Sequence, residues 1–181
     1  MKKQAVSGIF LYLTFTLMFL SGCTGNHSGN ETKDQIVSEL DKFISQWHES
    51  AATSNHADYI GAMAGDGIYI GTDATEYWTT PAFSAWSKPY FDQKKGWNLK
   101  KVNRHIYLSE TGEFAWFDEL LETGMGLCRG SGVLQKKDGQ WLICQYVLSP
   151  TVPNDLTNQV KTLKSGADSL LIRELRSASN Q

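Results

Sequence analysis

The stretch RHIYLSETGEFAWFDELL (104–121) decides the fold. Apolar and polar residues alternate on both sides of Thr111-Gly112, which reads as two antiparallel strands joined by a tight turn. Two further segments rich in aromatic and β-branched residues follow it, giving four in all: 97–108, 113–122, 127–136 and 140–148. The short, turn-rich connections between them make an antiparallel meander. Within it Asp118 and Glu119 stand side by side in a strand that otherwise carries bulky apolar residues, and a strand must send such neighbours to opposite faces.

The chain before the meander has a different period. Ile36, Val37, Leu40, Phe43, Ile44, Trp47 and Ala51 recur at helical spacing, which predicts an amphipathic helix over 33–53. Asn55 followed by Asp58 predicts a capped second helix through Met63, ended by Gly65-Asp66-Gly67. IYIGT (68–72) reads as a short strand. Thr80-Pro81 reads as the cap and first position of a third helix, stopped by Pro89. Helices thus precede most of the sheet, the α+β pattern. From Thr157 the tail is polar, and Leu170-Leu171-Ile172 marks a candidate terminal helix over 157–181.

Turn positions set strand registers. Thr111-Gly112 puts His105 opposite Asp118 and Tyr107 opposite Trp116, Gly124-Met125 puts Asp118 opposite Ser131, and Asp138-Gly139 puts Ser131 opposite Tyr146. One face then carries Asn103, His105, Tyr107, Trp116, Asp118, Arg129, Ser131 and Tyr146. The other carries Ile106, Leu108, Phe117, Glu119, Leu121, Leu134, Trp141, Ile143 and Val147, and is almost wholly apolar. A one-residue bulge would exchange Asp118 for Glu119 beside Arg129.

At the N-terminus Lys2 and Lys3 precede an apolar run over 9–20 and then Leu20-Ser21-Gly22-Cys23. The run is shorter than the roughly 20 residues a comfortable membrane span needs, so it reads as a secretion signal over 1–22. Leu-Ser-Gly-Cys resembles the lipobox of bacterial lipoproteins, which implies lipidation of Cys23 and a cell-envelope location. By the same resemblance Thr24 favours the outer membrane if the envelope is Gram-negative. Residues 23–31 are small and polar and read as a tether.

Formal net charge is −2, and nothing in the chain forms the basic patch nucleic acid requires. The remaining cysteines, Cys128 and Cys144, fall roughly 16 Å apart along the ladder and read as free thiols. No metal spacing is visible: His48 and His56 cannot share a helix face, and Asp73 with Glu76 supplies too few oxygens for a hard cation. No cofactor motif is present, since neither Gly65-Asp66-Gly67 nor Gly130-Ser131-Gly132 has the strand-to-helix setting of a phosphate loop.

The element order, with GTDATEYW, RHIYLSETGEFAWFDELL, CRGSGVLQKKDGQWLICQY and PNDL, resembles the SnoaL-like branch of the nuclear transport factor 2-like superfamily over 32–156. The resemblance implies a curved antiparallel sheet wrapped around a long helix as an open-mouthed cone. Superfamily members include isomerases, cyclases, dehydratases and proteins with no chemistry, so fold does not choose function. An inner face of mixed aromatic and polar groups suits a pocket for a small, partly apolar molecule. On that reading Arg129, Tyr146, Trp116, Tyr107 and Ser131 line it, with Trp78, Trp47 and Tyr59 completing the wall. The enzymatic alternative, an isomerase, dehydratase or hydrolase, makes His105 the general acid or base and Asp118 its orienting partner. A third reading is an interaction module without a pocket. The apolar second face, placed outside, predicts a homodimer formed sheet to sheet.

Overall fold

A computed structural model describes residues 32–178. The readings of a signal peptide, a tether and a lipidated Cys23 lie outside the described residues.

Helix α1 (Lys33–Ala52) begins in a capping box: Thr32 Oγ1 accepts from the Gln35 N–H, and the Gln35 side chain accepts from the Thr32 N–H. Its buried stripe is Leu40, Ile44, Trp47, His48 and Ala51. Helix α2 (His56–Gly61) is capped by Asn55. Strand β1 (Met63–Ile70) follows almost at once, because Gly65-Asp66-Gly67 does not stop the chain but lies in a bulge where the register against β6 shifts. The buried Thr80 hydroxyl ties this bulge down, lying 2.7 Å from the Ala64 carbonyl and 3.1 Å from that of Gly67. A short β2 (Tyr77–Thr79), not foreseen from sequence, pairs with β1.

Helix α3 (Thr80–Asp92) is capped by Thr79, one residue earlier than expected, and runs on through Pro89. The turn beyond Pro89 holds because its carbonyl accepts from both the backbone and side-chain N–H groups of Gln93, while Phe91 is 1% exposed in the core. Then come β3 (Lys100–Leu108), β4 (Phe114–Thr123), β5 (Gly126–Lys137) and β6 (Gln140–Pro150). A single 3₁₀ turn (Asn154–Leu156) leads into α4 (Thr157–Ala178), which buries none of its residues. The curved sheet has the order β2-β1-β6-β5-β4-β3, antiparallel except for the parallel β1–β6 pair.

The first two hairpins keep the registers their turns dictate: His105 faces Asp118, Tyr107 faces Trp116 and Asp118 faces Ser131. The third does not. Its register shifts between Val133 and Leu134, so Ser131 faces Val147 and Gly132 faces Tyr146. Beyond this bulge the parity of β6 reverses, and Tyr146 and Leu148 turn inward.

The two faces are as grouped from sequence, apart from that exchange on β6, but their sides are the reverse of those expected. Phe117, Glu119, Leu121, Leu134 and Ile143 are buried and share a core with Leu40, Ile44 and Trp47 of α1. His105, Tyr107, Trp116 and Arg129 are exposed on the outer face, and Asp118 is half-exposed there. The reason is area: α1 presents an apolar stripe, and burying the apolar sheet face against it gains about 25 cal/mol per Å² removed from water. A mixed face offers α1 far less. The apolar face is therefore not the outer surface, and a dimer cannot form through it.

Candidate functional site

With α1 filling much of the cone, open space is left at its mouth. A cavity of about 440 Å³ lies between β1, β2, α3, the segment before β3 and the β4–β5 turn. Its wall is aromatic. Tyr69 of β1 stacks on Phe83 of α3, centroids 4.0 Å apart, and Phe83 and Trp86 stand three residues apart on one face of that helix. Trp78 of β2 meets Trp86 at 4.6 Å, and Trp97 lies 5.9 Å from Trp86. Trp97 donates its indole N–H to the Tyr59 hydroxyl at 3.1 Å, which fixes the ring.

The polar groups of the wall are few: Thr72, Glu76, Asn98 and Thr123. Glu76 folds back over Gly71, where a Cβ would collide with its carboxylate, and Oε2 accepts the Asp73 N–H at 3.1 Å.

Deeper in the fold is a separate ionic cluster. Glu119 is 1% exposed. Its Oε1 accepts from His48 Nε2 at 2.7 Å and from the Tyr146 hydroxyl at 2.9 Å, and its Oε2 accepts from Arg104 Nε at 2.9 Å. Arg104 Nη2 also lies 2.7 Å from Oε2, but off the N–H direction, so that contact is ionic without being an aligned hydrogen bond. Arg104 Nη1 bonds Asp41 and Ser45 of α1, which locks helix to sheet. Burial works against ionising Glu119, but the hydrogen bond and charge of His48, then Arg104, outweigh it and hold the carboxyl below its usual range. Burial, followed by the Glu119 charge, pushes the Tyr146 hydroxyl well above its usual range, so it acts as a donor. None of the cluster's four side chains lines the aromatic cavity.

Of the residues singled out from sequence, Trp78 lines the cavity. Trp47 and Tyr59 are stacked core rings, the Trp47 indole N–H donating to the Tyr59 carbonyl at 2.9 Å. Tyr146 points inward but binds Glu119. His105 and Asp118 do pair, Nδ1 to Oδ1 at 3.1 Å, on the outer face with 58% and 45% of their side chains exposed. Arg129, Tyr107, Trp116 and Ser131 share that face, so none of these six can line the cone's interior. The sequence does not single out Trp86, Trp97, Phe83 and Tyr69 as cavity residues, nor Arg104 and His48 as partners of Glu119, which it offers only as the alternative to Asp118. Signals existed for the second group: His48 lies in the apolar stripe of α1, and Arg104 faces Glu119 on the apolar side of the ladder. Among the described residues no cluster of three or more His, Cys, Asp and Glu could hold a metal ion, and Cys128 and Cys144 are free.

Residues 40–153 match the model of the SnoaL-like domain. The chain belongs to the SnoaL-like family. A search of curated proteins finds no match. Solved structures similar to this SnoaL-like chain include an NTF2-like protein of unknown function from Pseudomonas putida, at 14% identity and TM-score 0.56 over 65% of this chain and 88% of that one. A domain of unknown function with a cystatin-like fold from Nostoc punctiforme matches at 14% identity and TM-score 0.58 over 83% of this chain and 100% of its own. The association domain of C. elegans CaMKII matches at 12% identity and TM-score 0.56 over 67% and 100%. At these identities they establish the fold alone, and the SnoaL-like domain carries no activity by virtue of its shape.

Proposed function

We propose that this SnoaL-like domain binds a small, largely apolar molecule in the aromatic cavity at the cone mouth and is held at the cell envelope by lipid on Cys23. The observation that carries the first part is the cavity itself. At about 440 Å³, walled by Tyr69, Trp78, Phe83, Trp86 and Trp97 and left open by the half-exposed Trp86, it has the size and lining of a small-molecule site. An interaction module plugged by its own side chains would lack this space. Catalysis by His105 and Asp118 draws no support, because their pair is exposed on the outer face and neither residue lines the cavity. Native mass spectrometry of the purified protein tests the binding reading: a co-purifying mass released by Trp86→Ala supports it, and a bare polypeptide that takes up no small apolar compound counts against it.

The anchor reading rests on Lys2, Lys3, the apolar run and Leu-Ser-Gly-Cys in that order. Two or more acyl chains hold a protein at a membrane where one would not. Metabolic labelling with palmitate should mark the wild type and not Cys23→Ala, and the variant should leave the membrane fraction. We also propose self-association through the outer sheet face, where Tyr107 and Trp116 stack at 5.8 Å while 45% and 49% exposed. His105, Asp118 and Arg129 give that face charges of both signs, which suits a two-fold contact with a second copy. Light scattering at micromolar concentration should give twice the chain mass, and Trp116→Glu should give the monomer.

A further inference from the structure

This inference rests on the cavity being a ligand site and concerns what the ligand carries. Charge around the cavity is one-sided. Among the described lining residues Glu76 is the only charged side chain, and no lysine, arginine or histidine contributes. Lys94 and Lys95 precede the lining residue Gly96, yet neither lines the cavity, and the Lys95 ammonium is bonded to Gln93 Oε1 at 3.0 Å. Glu76 uses Oε2 to accept the Asp73 N–H, whereas its Oε1 has no hydrogen bond among the described residues. Burial, opposed by a hydrogen bond with Tyr59 and aided by the charge of Glu76, pushes the hydroxyl of the lining residue Tyr69 well above its usual range.

The rest of the wall has matching chemistry. Trp78 and Trp86 meet at 54° and Trp86 and Trp97 at 34°, so the three indoles line the space at different inclinations and are not stacked flat on one another. Indole rings carry negative π faces, and tryptophan is the best aromatic partner for an alkylammonium group. A carboxylate ligand would meet Glu76 with no cation to offset it, since Arg129 lies on the outer face.

We propose that the cavity selects a ligand with an apolar body and a protonated amine or quaternary ammonium group, matched by the Glu76 carboxylate and the indoles of Trp78, Trp86 and Trp97. An apolar ligand without charge would fill the same walls but leave Glu76 partly desolvated and unanswered.

The test uses three probes with one body: phenethylamine, phenethyl alcohol and hydrocinnamate, each titrated into the purified protein and followed by the indole N–H signals of Trp78, Trp86 and Trp97. The amine should bind about tenfold more tightly than the alcohol, with the carboxylate weakest. Glu76→Gln keeps an acceptor for the Asp73 N–H and should abolish the amine's advantage over the alcohol, while the alcohol, no longer desolvating a carboxylate, should bind no more weakly than to the wild type. A measurement free of any substitution is salt, which should shrink the amine's advantage in the wild type. If the alcohol or the carboxylate binds as tightly as the amine, or the advantage survives both Glu76→Gln and salt, the charge selection is wrong and the cavity reading stands. If no probe moves the three indoles at millimolar concentration, the cavity reading falls and the charge selection falls with it.

Discussion

Arg104 faces Glu119 and His105 faces Asp118 in adjacent rungs of the same β3–β4 ladder. The first pair keeps 1% and 0% of its side-chain exposure, the second 58% and 45%. Each pair sets a basic side chain against a carboxylate, so parity and not residue type separates them. Inside, Glu119 takes hydrogen bonds from His48, Tyr146 and Arg104, because a carboxylate out of water must recover its lost hydration from the protein. Outside, Asp118 has its contact with His105 at 3.1 Å, and solvent can serve the remaining lone pairs. The buried pair is thus tied to the whole fold, and the exposed pair is nearly independent of it.

The largest effect should come from removing one member of the buried pair. Arg104→Met leaves Glu119 without its guanidinium partner and removes the bonds from Arg104 to Asp41 and Ser45 on α1, and it should destabilise the protein by about 3–5 kcal/mol in urea denaturation. His105→Ala should change stability by no more than about 0.5 kcal/mol. Equal losses in the two variants would mean that burial does not distinguish the rungs.

Next comes crowding of the same carboxylate from the neighbouring strand. At Gly130 an added Cβ would strike the Tyr146 hydroxyl and come within 2.9 Å of Glu119 Oε1. Gly130→Ala should therefore cost about 1–3 kcal/mol, as overpacking of a filled core does. Gly65→Ala, in a strand but with open space around it, is the control and should cost far less. A Gly130→Ala protein as stable as its control would show that the cluster can shift without loss.

Titration separates the rungs more gently. The folded-state value of Glu119 is depressed below the ordinary 4.5, so its contribution is fully present above that pH and is lost as pH falls through the lower folded value. Stability of the wild type should consequently drop between neutral pH and the acid range below 4.5, and the drop should be smaller in Glu119→Gln. Denaturation curves collected through this window make the comparison. Parallel acid limbs in the two proteins would remove Glu119 as a source of acid sensitivity.

Much of this arrangement could be read in the sequence. Two of three hairpin registers followed from Thr111-Gly112 and Gly124-Met125, and the grouping of residues into two faces followed from them. The bulge near Cys144 could not be read, since an extra residue in β6 leaves no local signature beyond ordinary strand composition, and it alone turned Tyr146 toward Glu119. The side each face takes differs from the sequence expectation for a physical reason. The middle of the meander does not line the cavity, because α1 occupies the space over it, and the cavity walls come from β1, β2, α3 and the segments around Trp97 and Met125. Trp78, Trp86 and Trp97 are conspicuous in the sequence, but nothing local says that three rings from a strand, a helix and a loop converge.

The smallest effect is the most informative about the outer face. A double-mutant cycle on His105 and Asp118 isolates the energy they exchange with each other from what each contributes alone. In a face open to water, a pair this exposed should couple by less than about 0.5 kcal/mol, and added salt should reduce even that. If a second copy covers Tyr107 and Trp116, the same two side chains lose water at the contact, and the coupling rises with protein concentration as the dimer forms. The cycle should thus give a low value in dilute protein and a larger one in concentrated protein, both measured at one pH. A coupling that stays near zero where light scattering already reports the dimer would place the contact away from this rung, and a large coupling in dilute protein would mean the exposed pair resembles the buried one more than its surroundings allow.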